Sequence, residues 1–103
     1  MSTLLTVAAH PDDASLFWGG TIARLADEGW QVVSVTVDDG RGAPHSFEMD
    51  ADTLAATRHR ELAWESQRLG ARMEHLALPG VKTTETRDRC HEALLKLVRE
   101  LRP

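Results

Sequence analysis

His10, Asp12 and Asp13 stand together in the tetrad His10-Pro11-Asp12-Asp13. An apolar run, Leu4-Leu5-Thr6-Val7-Ala8-Ala9, precedes it, and a helical stretch begins near Ser15. Imidazole and carboxylate are ligands that suit Zn²⁺ and similar divalent ions. His10 and Asp13 lie three apart across a strand-to-helix turn, so both can reach one ion. Asp12, the adjacent carboxylate, is then free to act as a base on water that the ion activates. Each residue also has a local alternative. His10 can hydrogen-bond nearby, Asp13 can cap the helix, and the helix dipole favours a carboxylate such as Asp12 in the first turn. A bare His-x-x-Asp by itself favours these local roles.

The elements that hold the tetrad alternate as β-α-β-α-β-α. Strand one covers roughly Thr3 to Ala9 and is apolar on both faces, as a central parallel strand would be. Helix one runs from Ser15 to about Glu28, with Leu16, Phe17, Ile22, Ala23, Leu25 and Ala26, and stops at Gly29. Strand two is Gln31 to Val37. The stretch from Asp38 to about Met49, with Gly40, Gly42 and Pro44, reads as a loop. Helix two runs from about Ala51 to Leu69, between a cap at Asp50 and Gly70. Strand three is Met73 to Leu78. Helix three extends from about Glu85 to Leu101, capped by Thr83 or Thr84, with Leu94, Leu95, Val98 and Leu101 as its apolar stripe. Such alternation predicts a parallel sheet with right-handed crossovers. It places the tetrad at the carboxyl edge, where open α/β sheets bind ligands.

Composition narrows the function. The chain has 103 residues, 42% hydrophobic and 27% charged, with a net charge of −4. That is ordinary for a soluble globular domain, and the charge gives no general attraction for nucleic acid or anionic membrane. No stretch approaches the ~20 apolar residues of a membrane span. The single cysteine, Cys90, excludes an internal disulfide, which fits a reducing compartment. The N-terminus lacks the basic n-region of a signal peptide. The expected location is therefore cytoplasmic.

The tetrad and its surroundings resemble a known family. The segments AAHPDD and GGTIARLADEGWQVVSVTVDDG look like the N-terminal half of the PIG-L/LmbE-like de-N-acetylases. RHRELAWESQRLG is similar to the family's Arg-x-x-Glu helix ending in Leu-Gly, and HLALPG to its third strand. The resemblance covers nearly the whole chain, in order. It implies a Rossmann-like three-layer sandwich with a parallel sheet, of which residues 1–103 form the N-terminal portion. It also implies zinc-dependent removal of an acetyl group from an N-acetylglucosamine-type amino-sugar conjugate. Under it, His10 and Asp13 become ligands of Zn²⁺ or another divalent metal, and Asp12 the general base. Arg58, with Glu61, becomes a substrate contact or a support of the site. Spacing alone leaves Arg58 as a snorkelling residue with an i,i+3 partner.

Two departures qualify the implied site. Ala14 stands where the commoner family pattern has an acid. The third metal ligand, a His from a downstream His-Pro-Asp-His-like motif, has no match in these residues, although a catalytic zinc site wants three protein ligands. The chain by itself is therefore expected to be inactive. Strands in the order 3-2-1 leave strand one with a bare edge, which invites pairing. The expected partner is a second copy, or a chain supplying the missing strand and the third His.

Other readings are a non-catalytic truncated module of the same fold and, more weakly, a nucleotide-binding domain. The last lacks a G-x-G-x-x-G directly after strand one. His45 is a loop residue at the active edge, more readily solvated than ligating. His59, His75 and His91 read as ordinary helix or strand residues. Close packing on strand one would account for Gly19-Gly20. Trp18, Trp30 and Trp64 are expected to cover core or subunit contacts.

Overall fold

The computed structural model describes residues 1–42 and 49–103. Three parallel strands, β1 (Thr3–Ala8), β2 (Gln31–Asp38) and β3 (Arg72–Leu78), lie in the order β1-β2-β3. The α-helices are α1 (Gly19–Asp27), α2 (Ala51–Leu69) and α3 (Thr84–Leu101). The parallel α/β class and the strand order both follow the sequence expectation.

β2 is central, and its residues Val32 to Val37 are all buried. Its valines pack on both faces, which a strand covered by helices requires. One core cluster joins Ala8 of β1, Ala14, Ile22 of α1 and Val32 of β2, with Leu4, Leu25, Ala26, Leu69 and Ala71 against it. α2 carries Asp50 as its N-cap, whose side chain accepts the Thr53 N–H at 2.7 Å. It ends at Gly70, whose φ of 79° closes the helix; a Cβ there would sit 3.0 Å from Cβ of Ala26. α3 starts from a reciprocal cap between Thr83 and Thr86 and buries Leu97.

Three expectations need correction. Helix one does not run unbroken from Ser15. A π-helical turn spans Ala14–Trp18, and α1 takes over at Gly19. π-turns are frequent at functional sites, and this one follows the tetrad directly. Close packing does not explain the glycine pair either. A Cβ at Gly20 would meet nothing within 4 Å, and one at Gly19 would reach only the Ala14 carbonyl at 4.0 Å. The glycines mark the junction between the two helical forms. The tryptophans depart only from the core half of their expectation: all three are exposed, and Trp64, at 62%, carries the Arg68 guanidinium over its ring at 4.8 Å.

Candidate active site

The carboxyl ends of β1 and β2 open onto a cleft of about 440 Å³. His10, Pro11, Asp12, Asp13, Asp38, Gly40, Gly42, Arg58 and Lys82 line it. Four segments meet there. The tetrad follows β1, Asp38 ends β2, Arg58 reaches in from α2, and Lys82 lies between β3 and α3. His45 lies outside the described residues.

β1 delivers the tetrad by running parallel to β2 up to Ala8 opposite Thr36. The Asp38 N–H then donates to the Ala9 carbonyl at 3.0 Å, which ties the chain just before His10 to the end of β2. Past that point a tight turn returns the Asp13 N–H to the His10 carbonyl at 3.2 Å. The Asp13 carboxylate accepts the His10 backbone N–H at 3.1 Å, and its Oδ2 lies 3.5 Å from His10 Nδ1. Asp13 occupies the N-cap position but makes no side-chain cap bond. The turn thus directs the imidazole and carboxylate toward each other rather than into the helix.

Asp12 is exposed on the cleft rim. Its carbonyl, not its carboxylate, serves the helix start, accepting from the Leu16 N–H at 3.2 Å and the Ser15 hydroxyl at 3.3 Å. Glu65 on α2 is half-buried, and its carboxyl is pushed up, first by burial. The Ser15 hydroxyl bond opposes the shift and the Asp12 charge adds to it.

Arg58 makes the i,i+3 pair that its spacing predicts, and it also lines the cleft. Nη1 donates to Glu61 at 2.9 Å, and the stem forms a wall of the cleft. That wall needs Gly40. A Cβ at Gly40 would lie 3.0 Å from Cγ of Arg58 and 3.1 Å from Cγ of Pro11, and φ is 84°. The segment is held by side chains of its own. The Asp38 carboxylate accepts the Gly40 N–H at 2.6 Å. Buried Asp39 binds the Arg41 N–H at 3.0 Å and Nε at 2.6 Å. The Asp39 bond and charge raise the Arg41 guanidinium further above its already high ordinary value.

Sequence reasoning missed Asp38, Gly40, Gly42 and Lys82 as cleft residues. The signal was present for the first two. An Asp-Asp-Gly at the end of β2 leaves the same sheet edge as the tetrad, only one strand away. Lys82 had no local signal.

The donor chemistry suits a divalent cation in part. One imidazole nitrogen and one carboxylate oxygen, side by side at the rim, can share an ion whose bonds are ~2 Å. Among the described residues, no third His, Cys, Asp or Glu completes a ligand group.

The family model for PIG-L, the GlcNAc-PI de-N-acetylases, matches residues 5–103. The chain belongs to this family. It is 30% identical over 101 residues to the diacetylchitobiose deacetylase of Thermococcus kodakarensis, covering 97% of this chain and 38% of that protein. Over 66 residues it is 67% identical to 1D-myo-inositol 2-acetamido-2-deoxy-alpha-D-glucopyranoside deacetylase 1 of Saccharopolyspora erythraea, covering 57% of this chain and 22% of that one. The chain therefore spans less than half the length of these relatives.

Among solved structures, the N,N'-diacetylchitobiose deacetylase of Pyrococcus horikoshii superposes with a TM-score of 0.87 at 28% identity, over 99% of this chain and 38% of that one. The 4-carboxy-2-hydroxymuconate hydratase GalB of Pseudomonas putida KT2440 also gives 0.87, over 100% of this chain and 45% of that one. At 24% identity that likeness speaks for the fold alone. A hydratase on the same scaffold means that the reaction must be argued from the site.

Proposed function

We propose that residues 1–103 are the N-terminal portion of a metal-dependent amide hydrolase that removes the acetyl group from an N-acetylglucosamine-type conjugate. The observation that carries this is the tetrad's geometry: His10 and Asp13 side by side at a cleft rim, with the Asp12 carboxylate free beside them. The names of the relatives supply the amino-sugar class.

His10 and Asp13 would hold a Zn²⁺ or another divalent ion, whose chemistry when bound is to polarise a carbonyl and acidify water. Asp12 takes a proton from the water that attacks the acetyl carbon. The carbon–nitrogen bond then breaks, acetate leaves, and the amine receives a proton. Arg58, already oriented by Glu61, contacts sugar hydroxyls from the α2 wall. The described residues supply no third ligand; in this reading it comes from a segment outside these 103 residues or from a partner.

The test is Asp12→Asn in the complete protein. Turnover falls ~10²-fold or more, the range for a lost general base, while metal content measured by atomic emission stays near that of the unmodified enzyme. Unchanged acetate release in the mutant removes Asp12 from the mechanism.

Among the described residues β1 has a bare edge, and such an edge favours association. Leu16 is 69% exposed and Phe17 72%. Beside them a groove of about 280 Å³ runs along Leu4, Leu5, Thr6 and Val7, bounded by Trp18, Thr21 and Ile22. A strand pairing along β1 would cover both. The same edge supports the second reading, a non-catalytic module that assembles with a partner. An assembled protein that binds no metal and releases no acetate decides for it.

A further inference from the structure

β2 and β3 keep register from Val33 opposite Arg72 to Thr36 opposite His75, and then slip, so that Asp38 faces Leu78. β3 therefore carries one extra residue. Ala77 in that bulge has φ of 53°, a region where residues with a side chain are strained. Bulges near active sites commonly re-aim a side chain. This one leaves the His75 imidazole on the backbone of Asp38, with Nε2 2.9 Å from the carbonyl oxygen. A carbonyl only accepts, so Nε2 carries the hydrogen.

The other nitrogen of the ring, Nδ1, lies 2.8 Å from Nδ1 of His59 on α2. The ring centres are 5.1 Å apart and the planes differ by 17°. The centres lie farther apart than the two nitrogens, so the rings extend away from the contact and meet nitrogen to nitrogen. They are joined edge to edge rather than stacked face to face. One hydrogen lies between them. With His75 Nε2 committed to Asp38, the neutral pair has a single arrangement: His59 donates from Nδ1 and His75 accepts. A first added proton goes to the exposed Nε2 of His59 and leaves the chain of bonds intact. A second puts hydrogen on both Nδ1 atoms and breaks it.

We propose that His59 and His75 are a positioning pair that fixes the Asp38 wall of the cleft, and that the pair tolerates one added proton and lets go on the second. Asp38 is a lever on the site. Its N–H holds Ala9, next to the tetrad, and its carboxylate holds Gly40, which is wedged between Pro11 and Arg58. The nearby charges are engaged elsewhere. On α2, Arg58 is paired with Glu61 and Arg60 is bonded to the Thr57 hydroxyl. On β3, Arg72 is paired with Glu74, and from β2 the Asp38 carboxylate takes the Gly40 N–H. No carboxylate of the described residues is in ion-pair range of either ring. The hydrogen-bond chain stands apart from the deacetylase reading; only its consequence for turnover rests on it.

Long-range proton–nitrogen NMR of the labelled 103-residue chain tests the pair. At about pH 8 His75 is the Nε2–H tautomer, His59 the Nδ1–H tautomer, and a coupling crosses the hydrogen bond between the two Nδ1 nuclei. The titration covers roughly pH 8 to 5, where histidine changes charge. The first proton preserves the coupling. The second abolishes it and shifts the Asp38, Asp39 and Gly40 amides together. His59→Phe, at an exposed position, shifts the same amides at neutral pH and releases the His75 tautomer. His59→Gln, which keeps an N–H donor, restores both. An Nδ1–H tautomer at His75, or Asp38–Gly40 amides that move neither in His59→Phe nor with acid, overturns the proposal. Acetate release is not part of this readout, so either reading can fail without the other.

Discussion

β1 and β2 are built from the same kind of residues, and the fold treats them differently. TLLTVA and QVVSVTVD both read as strands apolar on two faces. In β2 six consecutive residues are buried. In β1 only Ala8 is, and Val7 is 43% exposed. The strands are paired to each other along their whole shared length, so their mutual hydrogen bonds do not separate them. Among the described residues, β2 has a neighbour on each side, with α1 in contact with it and α2 over β3; β1 has one neighbour and an open flank. Burial is thus a property of position in the sheet. The half of the molecule around β2 holds the buried core strand, and the half around β1 carries the candidate site and exposed apolar surface.

An acidic substitution on each strand breaks this comparison most directly. Val35→Asp places an unpaired charge at a fully buried site and costs more than about 4 kcal/mol. Urea unfolding should find little folded chain. Val7→Asp on the open flank of β1 costs less than about 1 kcal/mol. Equal losses would mean that the open flank of β1 is covered in solution.

The next test concerns the seam between the halves. Gly40→Ala meets Arg58 and Pro11 and must keep φ at 84°. It should cost about 1–3 kcal/mol and shift the amides of His10 to Asp13. Gly42→Ala, whose Cβ meets nothing within 4 Å, leaves both unchanged. The tetrad's dependence on the end of β2 is refuted if the two variants behave alike.

A third measurement sharpens the reading of the β1 side as an interface. Leu16→Ser combined with Phe17→Ser removes exposed apolar surface at little cost to stability, within about 0.5 kcal/mol for each change, and lowers the mass seen by light scattering. An unchanged mass removes association through this face.

The smallest effect is a pH dependence that crosses the seam. Burial raises the Glu65 carboxyl, so the folded chain holds that proton more tightly than the unfolded one. Its contribution to stability is present below the ordinary glutamate value, about 4.3. It is lost as the pH rises through the raised folded value. Glu65→Gln should flatten that part of the stability curve; a curve of unchanged slope excludes Glu65 as its source.

Local pattern made much of the fold legible. Element order, the Asp50 cap and the Gly70 stop were readable because each rests on residues within one turn or on a two-residue period. The tetrad was legible for the same reason: three chemically useful side chains adjoin at one strand-to-helix turn. Other features were not. The π-turn after Asp13 has no periodicity of its own, and Lys82 reaches the cleft only through the folding of the segment between β3 and α3.

The sequence by itself determined which side chains could do chemistry here, and that a parallel sheet would carry them at one edge. It did so because His10, Asp12 and Asp13 are chain neighbours and because strand and helix periods are local. Tertiary structure alone decided that β1 lies open while β2 is buried, and that Gly40 seats Pro11 against Arg58. It also decided that two histidines 16 positions apart meet nitrogen to nitrogen at the carbonyl of a residue 37 positions from His75. Those outcomes depend on strand register and on one inserted residue in β3. A single-residue slip changes which side chains meet while leaving the local pattern intact.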